Sequence, residues 1–327
     1  MLIDFVYGLS QSGKTTWAMK LACYLFQKTG RRSRWYQGDG GAETLAISGA
    51  LGPKGFIDIL DYSNRRFPIE TSQRICSGWW AKDPTDPMSP LYECSRDELA
   101  TVGLMVWEGT SFMSDYLMGD VEGGMRHRMS RGEVMNNDPS FKFKDGETTF
   151  GGNSRTHYGY VQRKMLDNIR RCYGIVGPLR GLWTGHERRV DEDAGNIKDP
   201  LFGPDVCGKA LTPRIGASFG NTVHLDTADI LKKKKDPHTQ KEIETTKKEY
   251  RAYLRTHFDP NAATGVRYFA GCRIPDLVLS QQPDFLPEYL TPPDPVKFYA
   301  LLDEAETLNR TLSATPSETT LRMIGTL

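Results

Sequence analysis

The sequence has no pair of cysteines at the close spacing of a redox or zinc motif. Its six cysteines, Cys23, Cys76, Cys94, Cys172, Cys207 and Cys272, are scattered, and its six histidines show no zinc-ligand spacing. That pattern argues against a disulfide framework and a zinc module, and predicts a reduced, cytosolic protein whose cysteines are mostly small core residues. Apolar runs long enough to span a bilayer are also lacking, so no membrane partner is expected. The first residues, Met1 to Val6, lack the basic region and long apolar stretch of a signal peptide and read as a strand instead. An excess of one charge is missing too: 42 Lys and Arg against 41 Asp and Glu leave a net charge of +1. No global field points to nucleic acid, so any such site has to be a local patch. There is no internal repeat.

What is present is 327 residues, 38% hydrophobic and 25% charged, enough for one large domain with embellishments or two modest ones. Residues 8–15, Gly-Leu-Ser-Gln-Ser-Gly-Lys-Thr, form a complete phosphate-binding loop. Residues 2–7 before it read as a buried strand. Behind it Trp17, Leu21 and Leu25, with Ala18 and Tyr24 beside them, form the apolar face of a helix that Gly30 is placed to end. Gly8 and Gly13 permit backbone angles and close approach that side chains would block. The loop, with Ser10, Ser12 and Thr16, then directs its N–H groups at phosphates on the helix N-terminus. Lys14 is expected to reach the β- and γ-phosphates and Thr15 to hold Mg²⁺, making ATP and Mg²⁺ the expected ligands.

Further strands are predicted at 33–37, 56–60, 102–107 and 179–184. An amphipathic helix is predicted at 158–172, with Val161, Met165, Ile169 and Cys172 on one face. Their alternation predicts an α/β fold with a mainly parallel central sheet and helices on both faces. Later strands, at 222–227, 248–257 and 266–270, have no helices between them. Lys232 to Lys235 fall in the connection of the first two, which predicts a β-hairpin there. From Pro283 the chain is proline-rich, followed by a short helix at 296–309 and a frayed tail. Residues 119–155, rich in Gly, Asn and Met, read as an insertion or long mobile loop. Residues 62–100 give no clear pattern, and Trp79 and Trp80 within them are assigned to the core. The expected organisation is one P-loop domain over 1–280, with its insertion at about 119–155, and a C-terminal segment over 281–327.

Phosphate chemistry needs a carboxylate near the metal. Glu108, at the tip of the strand 102–107, fits, either directly or through a metal-bound water, so Thr15 and Glu108 form the expected metal pair. Hydrolysis needs a group that orients or deprotonates water. Asp39 is the first candidate, with Glu43 and Asp61 as rivals, although Asp before Gly is also turn chemistry. Thr184 and His186 can donate hydrogen bonds to a γ-phosphate, or else cap a strand. For single-stranded DNA the best patch is Arg126, Arg128, Arg131, Lys142 and Lys144, with Phe141 and Phe143 interleaved.

The run Tyr7 to Thr16, the early Asp39-Gly40-Gly41, the strand with Glu108, Trp183 to Glu187 and Tyr268 to Arg273 resemble, in that order, the RecA-like ATPases of bacteriophages, including those that serve recombination. The resemblance covers roughly residues 1–280. It implies a RecA-like sheet, Mg²⁺-dependent ATP hydrolysis in the cytoplasm of a host cell, assembly of copies into a ring or filament, and single-stranded DNA as partner. It also implies that Arg273 reaches the γ-phosphate of a neighbouring copy, although the Lys that usually precedes such an Arg is absent and Glu108 stands where Asp is usual. The residues also leave open an ATPase for virion assembly or DNA packaging, a nucleoside or small-molecule kinase, and a nucleotide-binding scaffold with little turnover.

Overall fold

The computed structural model describes residues 1–38, 45–46, 48–51, 55–130, 155–190, 201–206, 211, 215–235, 242–258 and 267–314. Strand β1, Leu2–Gly8, is buried from its second residue onward, as a strand covered on both faces must be. Helix α1, Lys14–Thr29, buries Trp17, Ala18, Leu21, Ala22 and Leu25. It stops at Gly30, whose φ of 72° lets its N–H close on the Phe26 carbonyl. Strands β2, Arg32–Gln37, and β3, Ile57–Asp61, follow. The segment without a sequence pattern folds as α2, Pro68–Ile75, a small two-stranded sheet of β4, Trp80–Ala81, and β5, Leu91–Tyr92, and α3, Arg96–Ala100. A reciprocal Ser95–Glu98 capping box opens α3. Trp80 is buried, while Trp79 is half-buried under the Arg74 guanidinium.

Strand β6, Val102–Glu108, is buried along its whole length. Helices α4, Thr110–Ser130, and α5, Arg155–Tyr173, lead to β7, Arg180–Val190. Strands β8, Leu201–Pro204, β9, Asn221–Lys235, β10, Glu242–Tyr253, β11, Arg255–Phe258, and β12, Arg267–Cys272, come next. Helix α6, Asp276–Gln281, strand β13, Tyr289–Leu290, and helix α7, Pro295–Ala314, end the described chain.

The centre of the main sheet runs β3-β2-β6-β7-β1-β9, every neighbouring pair parallel. Antiparallel additions flank it: β10 beside β9, β12 at the start of β9, and β8 along the end of β7. The result is a mixed α/β fold with a mostly parallel central sheet. Alternation along each strand divides the core between two faces. Phe5, Tyr7, Trp107 and Trp183 pack with Met113 and Leu117 of α4 and Val161, Met165 and Ile169 of α5. Val6, Leu104, Val106 and Leu182 pack with Trp17 and Leu21 of α1 and Phe298 and Tyr299 of α7.

Three expectations are corrected, and a fourth segment is placed. The strand expected to end at Thr184 continues to Val190, because Gly8 still pairs with His186 and β8 then supplies partners from Glu187 onward. Lys232 to Lys235 are not a connection but the last part of β9, paired with Glu242 to Thr245 of β10. Residues 119–130 of the expected loop are helical, continuing α4, while 131–155 lie outside the described residues except for Arg155, which opens α5. The described part of the C-terminal segment packs on the sheet and α1: β13 pairs with β10, Phe298 packs 5.9 Å from the Trp17 ring, and the Tyr299 hydroxyl donates to Asp4 Oδ2 at 2.6 Å, while the expected tail beyond 314 lies outside the described residues. Among the described residues no helix is long and apolar enough to cross a membrane.

Candidate functional site

Parallel strands bring their C-terminal ends to one edge, and ligands collect where the connections diverge. From β1 the chain crosses through α1 to β2, on the β7 side, whereas β9 lies on the other side of β1. At that edge a cleft of about 360 Å³ is lined by Ser10, Gln11, Gly13, Lys14, Thr15, Thr16, Glu108, Gly109, Thr184, Gly185 and His186. Four regions expected from the sequence to act together, the loop, Glu108, Thr184 and His186, therefore share one cavity.

The loop is held by its own backbone. Gln11 and Gly13 take left-handed φ values of 63° and 96°, and the Ser12 N–H donates to the Leu9 carbonyl at 3.2 Å. Gly8 admits no side chain: a Cβ there would lie 2.2 Å from the Leu225 carbonyl oxygen and 2.7 Å from Ser12 Oγ. Lys14 Nζ donates to the carbonyls of Gly8, at 3.0 Å, and Leu9, at 2.7 Å, so the ammonium stands at the mouth of the loop.

Thr15 Oγ1 donates to Glu108 Oε1 at 2.6 Å. This contact ties the first turn of α1 to the tip of β6 across the intervening β7. Glu108 is only 3% exposed. The next residues lock β6 to β7: Gly109 N donates to Thr184 Oγ1 at 3.3 Å, and Thr110 Oγ1 donates to the Thr184 carbonyl. Thr184 thus positions the Glu108 turn as well as lining the cleft. The His186 N–H donates to Ser111 Oγ at 3.3 Å.

A hydroxyl and a carboxylate 2.6 Å apart are hard oxygen donors, the set Mg²⁺ takes together with phosphate oxygens and water. Among the described residues no group of three or more His, Cys, Asp and Glu could hold a metal unaided. Thr15 and Glu108 supply two hard oxygen ligands of the kind Mg²⁺ takes.

Other expected residues are not brought here. Asp61 is exposed at the outer strand β3, where its Oδ1 accepts from the Ser63 N–H at 2.8 Å in a local turn. Arg273 follows β12 and is exposed; its N–H donates to Asn221 Oδ1 at 2.9 Å, and Asn221 Nδ2 donates to Asp4. It therefore lies toward the opposite end of β1 from the loop at residues 8–15. Arg126 and Arg128 lie on α4, with side chains outside the described residues, and Asp39, Glu43, Arg131, Lys142 and Lys144 lie outside them altogether.

Two residues at the site had no role in the sequence reading. Glu187 Oε2 lies 2.8 Å from His224 Nε2, and both side chains are buried behind the loop. Burial pushes the Glu187 carboxyl up to about 7, with Lys14 pulling it the other way. Burial pushes the His224 imidazole down to about 4; nearby Asp226 opposes that shift and Lys14 adds to it. His224 had a signal, a polar residue between Val223 and Leu225 on an apolar strand. Glu187 had one as well, the polar run Thr184-Gly185-His186-Glu187, in which only Thr184 and His186 are given roles.

No protein-family model matches the chain, and no curated protein matches it.

Proposed function

We propose that the chain binds a nucleoside triphosphate, ATP, with Mg²⁺ in this cleft and hydrolyses it, as a RecA-like ATPase that assembles from several copies and acts on single-stranded DNA. The observation that carries the reading is the Thr15–Glu108 contact of 2.6 Å beneath a complete phosphate loop. A loop that matched by chance would have no reason to bring a buried carboxylate from another strand to its Thr.

Each residue then has a role set by its position. The loop N–H groups and the α1 N-terminus take the phosphate charge. Lys14 moves from the Gly8 and Leu9 carbonyls to the phosphate oxygens. Thr15 and Glu108 hold Mg²⁺, which when bound neutralises charge on the phosphate oxygens as a Lewis acid. His186 lines the far side of the cleft, where it can donate to the terminal phosphate. DNA is proposed to lie along the basic stretch beginning with Arg126 and Arg128 on α4, the helix that starts two residues after Glu108.

The test is phosphate release from Mg²⁺–ATP by the full chain, with and without single-stranded DNA. Lys14→Ala is expected to lower release at least ~100-fold, as loss of a charge-stabilising donor does. Stimulation by DNA supports the recombination role. Release indifferent to DNA points to virion assembly or packaging. Binding without release points to a kinase or a scaffold, and no binding overturns the reading.

A further inference from the structure

The loop, Mg²⁺ and Glu108 leave one buried acid at the site without a task. Glu187 stands on β7 one residue past the partner of Gly8, and its side chain is 3% exposed. His224 meets it from β9, on the other side of β1, at 2.8 Å. Val223 and Leu225 face the α1 core, so His224 points to the opposite face, where its ring stacks on Tyr7 at 4.8 Å and on Tyr268 at 4.5 Å. Two stacked neighbours fix the ring, and the ring fixes the carboxylate. His224 stays neutral, because Nδ1 has no hydrogen-bond partner among the described residues and a second ring proton there would be orphaned.

The titratable groups around Glu187 are Lys14 from the loop, Tyr7 from β1, His224 and Asp226 from β9, His186 on its own strand and Asp205 after β8. Tyr253, His257 and Tyr268 lie beyond the His224 ring. Lys14 Nζ sits on the carbonyls of Gly8 and Leu9, and Gly8 lies between His186 and Leu225, the chain neighbours of Glu187 and His224, so the ammonium stands beside the pair.

We propose that Glu187, held by His224, is a positioning residue for Lys14: it is the counter-charge of that ammonium before phosphate arrives, and it takes up a proton when the triphosphate claims the ammonium. The proposal rests on the phosphate-site reading above. The proton comes from solvent to a Glu187 carboxylate oxygen, and no other bond changes. A carboxylate fixed behind the loop repels the incoming phosphates through a low-dielectric wall. It also loses the help of Lys14 once that charge is shared, so its carboxyl rises further from about 7 on binding. By linkage, affinity is then highest when Glu187 is already protonated, and it falls as pH rises through neutrality by up to about tenfold per pH unit for one proton.

The experiment is calorimetric titration of the full chain with Mg²⁺–ATP, just above neutral pH, in two buffers of different ionisation enthalpy. The proton exchange of the nucleotide alone is subtracted. Wild type is expected to take up on the order of half a proton more per nucleotide than Glu187→Gln, whose affinity should also be flatter with pH. Contributions from groups away from the substitution are common to both proteins and cancel. Equal uptake in the two proteins overturns the proposal while leaving the phosphate site intact. A wild type that does not bind ATP overturns both. Should Glu187→Gln fail to fold, the wild type decides alone: its infrared difference spectrum on adding nucleotide gains a protonated-carboxyl band, and a spectrum without that gain overturns the proposal.

Discussion

At Gly8 the last residue of β1 runs against the Leu225 carbonyl of β9, close enough that a Cβ would sit 2.2 Å from the oxygen. A clash with backbone cannot be relieved by turning a side chain. Gly8→Ala is expected to cost about 1–3 kcal/mol in denaturant unfolding, the range of overpacking, and to weaken nucleotide binding along with it. An unchanged unfolding midpoint would mean that β1 and β9 are further apart. At the other end of β1, Asp4 is 1% exposed and accepts from Tyr299 at 2.6 Å and from Asn221 at 2.7 Å, with Arg180 at 4.0 Å. Burial holds its carboxyl above the usual value of 3.8, and the Tyr299 hydroxyl pulls it back down. An acid raised by folding contributes its stability below the unfolded pKa and loses it as pH rises through the folded one. Tyr299→Phe lets that pKa climb further. Its cost, about 1–3 kcal/mol at neutral pH, should therefore shrink near pH 4. Equal cost at both pH values would show that Asp4 is not the group affected.

The same contact sets the role of whole elements. Strand β13 and helix α7 lie beyond the boundary expected at residue 280, yet they supply Phe298 against Trp17 and Tyr299 against Asp4. A chain ending at residue 281 is expected to lose its cooperative thermal transition by circular dichroism. A soluble truncated chain with a sharp transition would show that residues 1–281 fold without these elements. The sequence showed those elements as a proline-rich stretch and a short helix, because a lone amphipathic helix does not reveal which face of which sheet it covers. The central strands were legible, since a strand buried on both faces reads as a continuous apolar run, and β1, β2, β3 and β6 fell within a residue or so of their expected ends. Strand β7 was cut short at Thr184 because Gly185-His186-Glu187 is polar. The polarity reflects the site beside it, not the end of the strand.

Over the molecule as a whole, the loop was legible from eight residues, whereas the buried pair behind it was not. Glu187 and His224 come from strands far apart in sequence, and only the pairing of β7 and β9 on either side of β1 brings them together. Strand β9 has one more property. It passes without a break from Asn221, beside the foot of β1, past Leu225 against Gly8, and on to Lys235, where its partner is still β10. Ten residues at about 3.3 Å each separate Leu225 from Lys235, an arm of roughly 33 Å. A two-stranded ribbon of that length carries its lysine-rich tip well away from the sheet centre, on the same continuous strand that closes against Gly8.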